Sequence, residues 1–247
     1  MKKFMKAVAA VMLTVSMVCA AGCTKPDDPN DPNNGGTNDG GGNGGTLNGH
    51  EYVDLGLPSG TLWATCNVGA NAPEKYGDFF AWGETEPKTI YDWSTYKYCN
   101  GGSDQGSDQL TKYCPESIYG NNGFTDNLTI LEPGDDAATV NWGSGWRMPT
   151  HEEWVELCQN TTNTWTTLNG VNGRLFTASN GNSLFLPAAG VWSYELAEIG
   201  TRGLYWSSSL LTSFPDAAWF FDFDSGSTIH TGDGRNLGFS VRPVRAN

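Results

Sequence analysis

The chain predicts an α+β fold of short antiparallel strands with about two small helices, set behind a secretory leader and a disordered tether. Three observations carry this expectation. Asn-Gly pairs recur at short intervals between runs rich in aromatic and β-branched residues; one Thr-x-x-Glu box opens a run with helical spacing; and residues 1–46 hold nothing that could join a packed core beyond a leader. Taking the strands first, Asn169-Gly170, Asn172-Gly173 and Asn180-Gly181 separate the runs 165–168, 174–177 and 183–186. Type I′ turns need positive φ at both central residues, which Asn-Gly adopts at little cost, so a meander is predicted here. In the capping box, the Thr150 hydroxyl accepts from a first-turn amide while the Glu153 carboxylate reaches back. Trp154, Leu157 and Cys158 then fall on one face, which predicts a helix over 151–159. A second short helix is expected over 136–141. The run Trp219-Phe220-Phe221-Asp222-Phe223-Asp224 reads as a half-buried strand with Trp219, Phe221 and Phe223 inward and both Asp outward. Ser225-Gly226 then turns the chain back into 227–231.

Ahead of this domain, Lys2, Lys3 and Lys6 precede an apolar run over 7–18 and small residues up to Gly22. That is the layout of a secretory signal, and its apolar core is shorter than the roughly 20 residues a membrane span needs. Ala20-Ala21-Gly22-Cys23 resembles a lipobox, with Ala20 where most have Leu, so Cys23 is the expected lipidation site; the plain alternative is ordinary secretion with Cys23 as a stray thiol. Several acyl chains hold a protein durably, at about 0.8 kcal/mol per buried methylene, so membrane contact is expected through the lipid anchor only. From Thr24 the composition collapses to Pro, Asp, Asn, Gly and Thr, which cannot offset the entropy of ordering. The expected organisation is a leader over 1–22, a lipidated Cys and tether over 23–46, and one domain over 47–247, long enough to bury a sizeable core. Asp27 and Asp28 resemble the acidic signal that sends some lipoproteins to the outer face of the outer membrane; in a plain reading they merely suit a solvated linker.

Several distinctive motifs follow one another along the domain. They are Tyr52-Val53-Asp54-Leu55-Gly56-Leu57-Pro58-Ser59-Gly60, Trp63-Ala64-Thr65-Cys66-Asn67-Val68-Gly69, Ala81-Trp82-Gly83-Glu84 and Gly145-Trp146-Arg147-Met148-Pro149-Thr150 with Glu152-Glu153-Trp154 and Leu157. Leu186-Pro187-Ala188-Ala189-Gly190, Tyr205-Trp206-Ser207-Ser208-Ser209 and Gly238-Phe239-Ser240-Val241-Arg242-Pro243-Val244-Arg245 follow. On these residues the chain resembles the Fibrobacter succinogenes major paralogous domain, a bacterial surface module of the formylglycine-generating-enzyme-related group. The resemblance implies a C-type-lectin-like fold and display on the cell exterior. It names no ligand.

Cysteine usage fits an exported protein. With Cys19 in the leader and Cys23 as the lipid site, Cys66, Cys99, Cys114 and Cys158 remain, an even number for an oxidising compartment. Cys99 and Cys114 end near-repeats around a polar loop, and pairing them would close about 15 residues, worth roughly 3 kcal/mol in the chain-entropy model. Cys66 with Cys158 is then the other pair; related sequences often place the later Cys further along, and four buried thiols are the alternative. The formal net charge is −13, and three units lower once the leader lysines are gone. No basic footprint for phosphate backbones exists, so no nucleic acid is expected as a partner.

Catalytic constellations are sparse. His50, His151 and His230 share no metal-ligand spacing, so no metal site is expected. Ser207-Ser208-Ser209 lacks the glycines of a nucleophile elbow and is expected to pack beside Trp206. Glu84 and Glu86 read as solvated acids rather than a glycosidase pair. The related enzymes use a copper-binding cysteine pair near the C-terminus, and no Cys follows Cys158, so that cofactor is not carried over. Calcium enters through Asp222, Asp224 and Asp233, since lectins of this broad fold often bind sugars through that ion; calcium needs six to eight oxygens, and no EF-hand loop is present.

Recognition is expected on two irregular stretches, 210–216 and 230–236, set on a rigid framework. The candidate contact residues are Thr212, Phe214, Asp216, His230, Asp233, Arg235 and Asn236. Phe239 and Val241 are expected in the core, Arg242 as a structural donor, and Arg147 as a donor to backbone carbonyls that acts on folding. No Lys, Glu, Gln or Met follows Glu198. Retroelement diversification of Asn codons cannot produce those four, and a plain low-Lys strand composition gives the same pattern. The expected function is a surface-displayed binding module for a glycan or a surface protein, and not an enzyme; a structural or tip subunit of a surface assembly is the alternative, and a polysaccharide-acting enzyme the third reading.

Overall fold

The computed structural model describes residues 44–101 and 106–246. The leader, Cys23 and the tether through residue 43 lie outside the described residues. Among the described residues there are fourteen strands: β1 (Gly44–Leu47), β2 (His50–Val53), β3 (Leu62–Ala64), β4 (Phe79–Phe80), β5 (Thr161–Leu168), β6 (Val171–Ala178), β7 (Ser183–Pro187), β8 (Val191–Trp192), β9 (Leu196–Ala197), β10 (Gly203–Leu210), β11 (Ala217–Phe223), β12 (Thr228–Gly234), β13 (Phe239–Ser240) and β14 (Val244–Arg245). Two helices accompany them, α1 (Ala137–Trp142) and α2 (His151–Asn160). An α+β class is therefore observed. The sheets run β1-β2-β3-β14, β12-β11-β10-β13-β4, β5-β6-β7 and β8-β9, all antiparallel except the β10–β13 pair.

Local signals built the elements where they were strongest. Asn169 and Gly170 take φ of 49° and 85° and close the β5–β6 hairpin, in which Leu168 pairs with Val171. The Thr150–Glu153 box forms in full at the start of α2, and Glu153 also receives both Arg147 Nη atoms at 2.6 Å and the Thr61 hydroxyl at 2.8 Å. Burial opposes ionisation of Glu153, and the hydrogen bonds from Arg147 and Thr150 outweigh it, holding the carboxyl below its usual range. Arg147 thus acts through a carboxylate and one carbonyl, that of Met148, not through several carbonyls. Asp136 caps α1 by accepting from Thr139 N at 2.9 Å.

Several other expectations need correction. Asn172-Gly173 lies inside β6 rather than in a turn, because Gly173 lets the strand approach β7: a Cβ there would sit 2.3 Å from Leu186 O and 2.5 Å from Phe185 Cζ. The domain begins before residue 47, since β1 pairs with β2 across Asn48-Gly49, whose φ values of 50° and 77° suit a type I′ turn. Glu84 is buried and accepts from Lys97 N at 2.8 Å and from Lys88 Nζ, so it is structural and not a solvated acid. Finally, Cys114 and Cys158 hold free thiols, so neither Cys99–Cys114 nor Cys66–Cys158 is formed. The Cys114 thiol is satisfied instead by the Glu116 carbonyl at 3.2 Å, and burial pushes the Cys158 thiol up to about 12. Cys66 is disulfide-bonded, so four free thiols are not observed either.

The five-stranded sheet sits between two apolar clusters, and this overturns the half-buried reading of β11. Trp206, Leu204, Phe220 and Ala218 join Trp82, Trp146 and Phe239 on one side; Tyr205, Phe221 and Phe223 join Trp63, Trp154 and Phe176 on the other. β10 is consequently buried along its whole length, and in β11 Phe220 and Asp222 are buried as well as Phe221 and Phe223. A strand covered on both faces loses the period-two alternation that marks a solvated sheet. The indole N–H groups find partners across this core, with Trp82 Nε1 donating to Ser207 O and Trp206 Nε1 to Phe80 O, both at 2.8 Å. Ser207 and Ser208 donate to Trp219 O and Pro149 O, and Ser209 Oγ accepts from His151 N, so the serine run is packing. Arg242 is fully buried and donates to Asn67 Oδ1, Ala64 O, Thr65 O and Phe185 O; burial pushes its guanidinium down to about 10.

Candidate functional site

Among the sheet edges, β12 carries the candidate surface. β12 is an edge strand, paired only with β11, and its register places Ile229 opposite Asp222, Thr231 opposite Phe220 and Asp233 opposite Ala218. Directly opposed residues share a sheet face, so Ile229, Thr231 and Asp233 line one face of β12, and Thr228, His230 and Gly232 the other. The first of these faces carries two exposed side chains and runs over roughly 13 Å from Ile229 to Asp233.

At its Ile229 end lies a groove of about 370 Å³, lined by Glu198, Thr201, Arg202, Asp222, Asp224, Ser227 and Ile229. Its floor is fixed by a fork: Arg202 Nε donates to Asp222 Oδ1 at 2.8 Å and Nη2 to Oδ2 at 2.6 Å. The Asp222 hydrogen bonds outweigh burial and raise the guanidinium above its usual value, so it stays charged. Glu198 adds a longer contact, 3.2 Å to Nη1, from a turn that it opens in left-handed backbone at φ 60°. The opposite wall is the β11–β12 turn. There Asp224 Oδ1 accepts from Gly226 N at 2.7 Å and Ser227 N at 2.8 Å, which lowers its pKa, and Arg174 Nη2 clamps the turn through Asp224 O and Ser227 O. Three carboxylates and one guanidinium line the groove, so it suits hydroxyl-bearing neutral or cationic groups better than anions. The volume lies at the lower end of small-ligand sites, and the lining is more polar than is usual for them, with Ile229 as its one large apolar side chain.

At the Asp233 end the expected contact residues come together, with two exceptions in exposure. Phe214 N donates to Leu211 O and Ala217 N to Phe214 O, folding 211–217 into a tight loop that leaves Thr212 and Phe214 exposed, Phe214 by 57 %. Arg235 N donates to Asp216 O, so Asp216 and Asp233 stand beside that loop; burial raises the Asp216 pKa. Arg235 itself is fully buried, and Asn236 is buried too, which corrects both as contact residues. The Arg235 guanidinium donates to Tyr96 Oη, Tyr113 O, Pro215 O and Lys112 O and packs over the Trp82 and Tyr96 rings. His230 is separate, on the other face of β12 against Phe221 and His151.

The groove residues Arg202, Glu198, Thr201, Ser227 and Ile229 were not singled out in the sequence. The Glu198–Arg202 spacing is visible there, yet Asp222 meets Arg202 only through sheet formation. The three calcium candidates do not converge, since Asp222 is held by Arg202, Asp224 by its turn, and Asp233 Oδ1 by Gly234 N at the far end. Among the described residues no group of three or more His, Cys, Asp or Glu gathers as a metal site. Compared with known proteins, the chain matches no family model, no curated protein and no solved structure.

Proposed function

We propose that this chain is a surface-displayed binding module of C-type-lectin-like architecture, tethered through lipid on Cys23 at the outer membrane, and that it takes a neutral glycan along the open face of β12. The observation that supports this reading is the continuous strip from the Arg202–Asp222 groove, past Ile229 and Thr231, to Asp233, Asp216, Thr212 and Phe214. Its polar atoms are held before any ligand arrives, which lowers the ordering cost of binding. A terminal sugar would seat its hydroxyls on Arg202, Asp224 and Ser227, and an extended chain would continue toward the aromatic Phe214. Among the described residues no helix is long and apolar enough to cross a membrane. The test is a glycan array probed with the mature chain and with an Ile229→Ala, Asp233→Ala variant, two exposed positions whose loss leaves the core intact. Binding that survives in the variant removes the strip as the site. Cys23→Ser should abolish fatty-acid labelling, and retained labelling removes the anchor. The unpaired outer edge of β12 favours one second reading, a subunit of a surface assembly joined by strand addition.

A further inference from the structure

The chain has three histidines, and two of them meet across the fold although 151 and 230 are far apart in sequence. The His151 and His230 rings stand with centroids 5.6 Å apart and planes at 84°. Each ring is held by an aromatic neighbour: His151 stacks on Trp219 at 4.1 Å, and His230 leans on Phe221 at 5.2 Å. His230 Nδ1 is buried and makes no hydrogen bond. We propose that His151 and His230 form a two-imidazole chelate for a divalent late transition ion, Zn²⁺ or Cu²⁺, at the start of α2.

The spacing fits that chemistry. Two imidazoles on one tetrahedral ion, each bound at 2.0–2.1 Å, place their ring centres about 5 Å apart, close to the separation seen. Imidazole suits zinc and copper among common ions, whereas calcium and magnesium take oxygen. Both rings hold their basic, neutral form to lower pH than an ordinary histidine: burial lowers both pKa values, Glu152 opposes this at His151, and His151 lowers His230 further. The N-terminal end of α2 disfavours a cation, and Glu152 in its first turn offsets that. The remaining coordination positions would be filled by water or by an incoming ligand. Because the pair lies on the opposite face of β12 from the glycan strip, the proposal does not depend on the proposed function.

The experiment uses the mature chain with any purification tag removed, titrated with ZnCl₂ and CuCl₂, and with MgCl₂ as control. In proton–nitrogen NMR of the imidazoles, Zn²⁺ should shift the His151 and His230 rings together and saturably, leaving His50 and the Mg²⁺ spectrum unmoved. By calorimetry, His151→Gln and His230→Gln should each weaken Zn²⁺ and Cu²⁺ binding tenfold or more, while His50→Gln changes neither. The wild-type spectra keep the test valid if a variant folds poorly. Unchanged affinity in both variants, ring shifts confined to His50, or no saturable shift with either ion would overturn the proposal.

Discussion

Replacing Arg235 tests whether this residue holds the fold or touches a ligand. Its guanidinium is fully buried and makes hydrogen bonds of 2.9, 2.9, 2.9 and 3.0 Å to Tyr96 Oη, Tyr113 O, Pro215 O and Lys112 O. Hydrogen bonds to charged groups contribute about 1.5–3 kcal/mol each, and they are not additive within one network. Arg235→Ala would strand three carbonyls and leave a void between the Trp82 and Tyr96 rings, so the cost should be about 4 kcal/mol or more. For a domain of this size that corresponds to a melting-temperature fall of roughly 8–16 °C. Arg235→Lys keeps the charge but cannot span the same fork of acceptors, so it should fall between the two. The assay is thermal unfolding of the mature chain followed by circular dichroism, with ligand binding measured on the folded fraction. A loss in Arg235→Ala below about 2 °C, a small fraction of the shift expected, together with a specific binding defect, would refute the structural role and restore Arg235 as a contact.

Other perturbations have defined outcomes. Thr150→Ala should cost about 1 kcal/mol as a lost cap, while Glu153→Ala should cost more, because it also strands Arg147 and Thr61; equal melting temperatures in the two variants would contradict the shared carboxylate. Asp135 receives hydrogen bonds from Lys112, Tyr98, Tyr113 and Lys97 that outweigh its burial and hold its pKa at about 2 against an ordinary 3.8. A depressed carboxylate adds stability above its unfolded pKa and loses it as pH falls through the folded one, so about 2 kcal/mol should disappear between roughly pH 4 and pH 2; an Asp135→Asn protein with an identical acid-unfolding profile would contradict this. Cys114 and Cys158 should resist alkylation in the native protein and react fully in denaturant; a peptide map that links Cys99 to Cys114 would overturn the thiol assignment.

Much of the fold was legible because it rests on short-range physics. The Asn169-Gly170 turn, the Thr150–Glu153 box and the Asp136-led helix each follow from residues within a few positions of one another. What stayed hidden depends on pairing across the chain. β11 reads as half-buried because alternation is normally the mark of a sheet strand; only the second apolar cluster explains why Phe220 is enclosed, and only Arg202 why Asp222 is. Arg235 looked like a loop contact since nothing near it in sequence supplies acceptors; its partners come from 96, 112, 113 and 215. The same holds for the candidate site. Composition singles out Thr212, Phe214, Asp216 and Asp233, and the fold sets them near the same end of β12, whereas Arg202 meets Asp222, and His151 meets His230, only when β10, β11, β12 and α2 come together.

The most direct measurement is binding of neutral oligosaccharides on a glycan array by the mature chain and by its Ile229→Ala, Asp233→Ala variant, at matched melting temperature. The open face of β12 predicts that the wild-type protein retains one or more neutral glycans and that the variant loses at least tenfold in affinity for them. Equal binding by both proteins, or wild-type binding confined to anionic glycans, would contradict it.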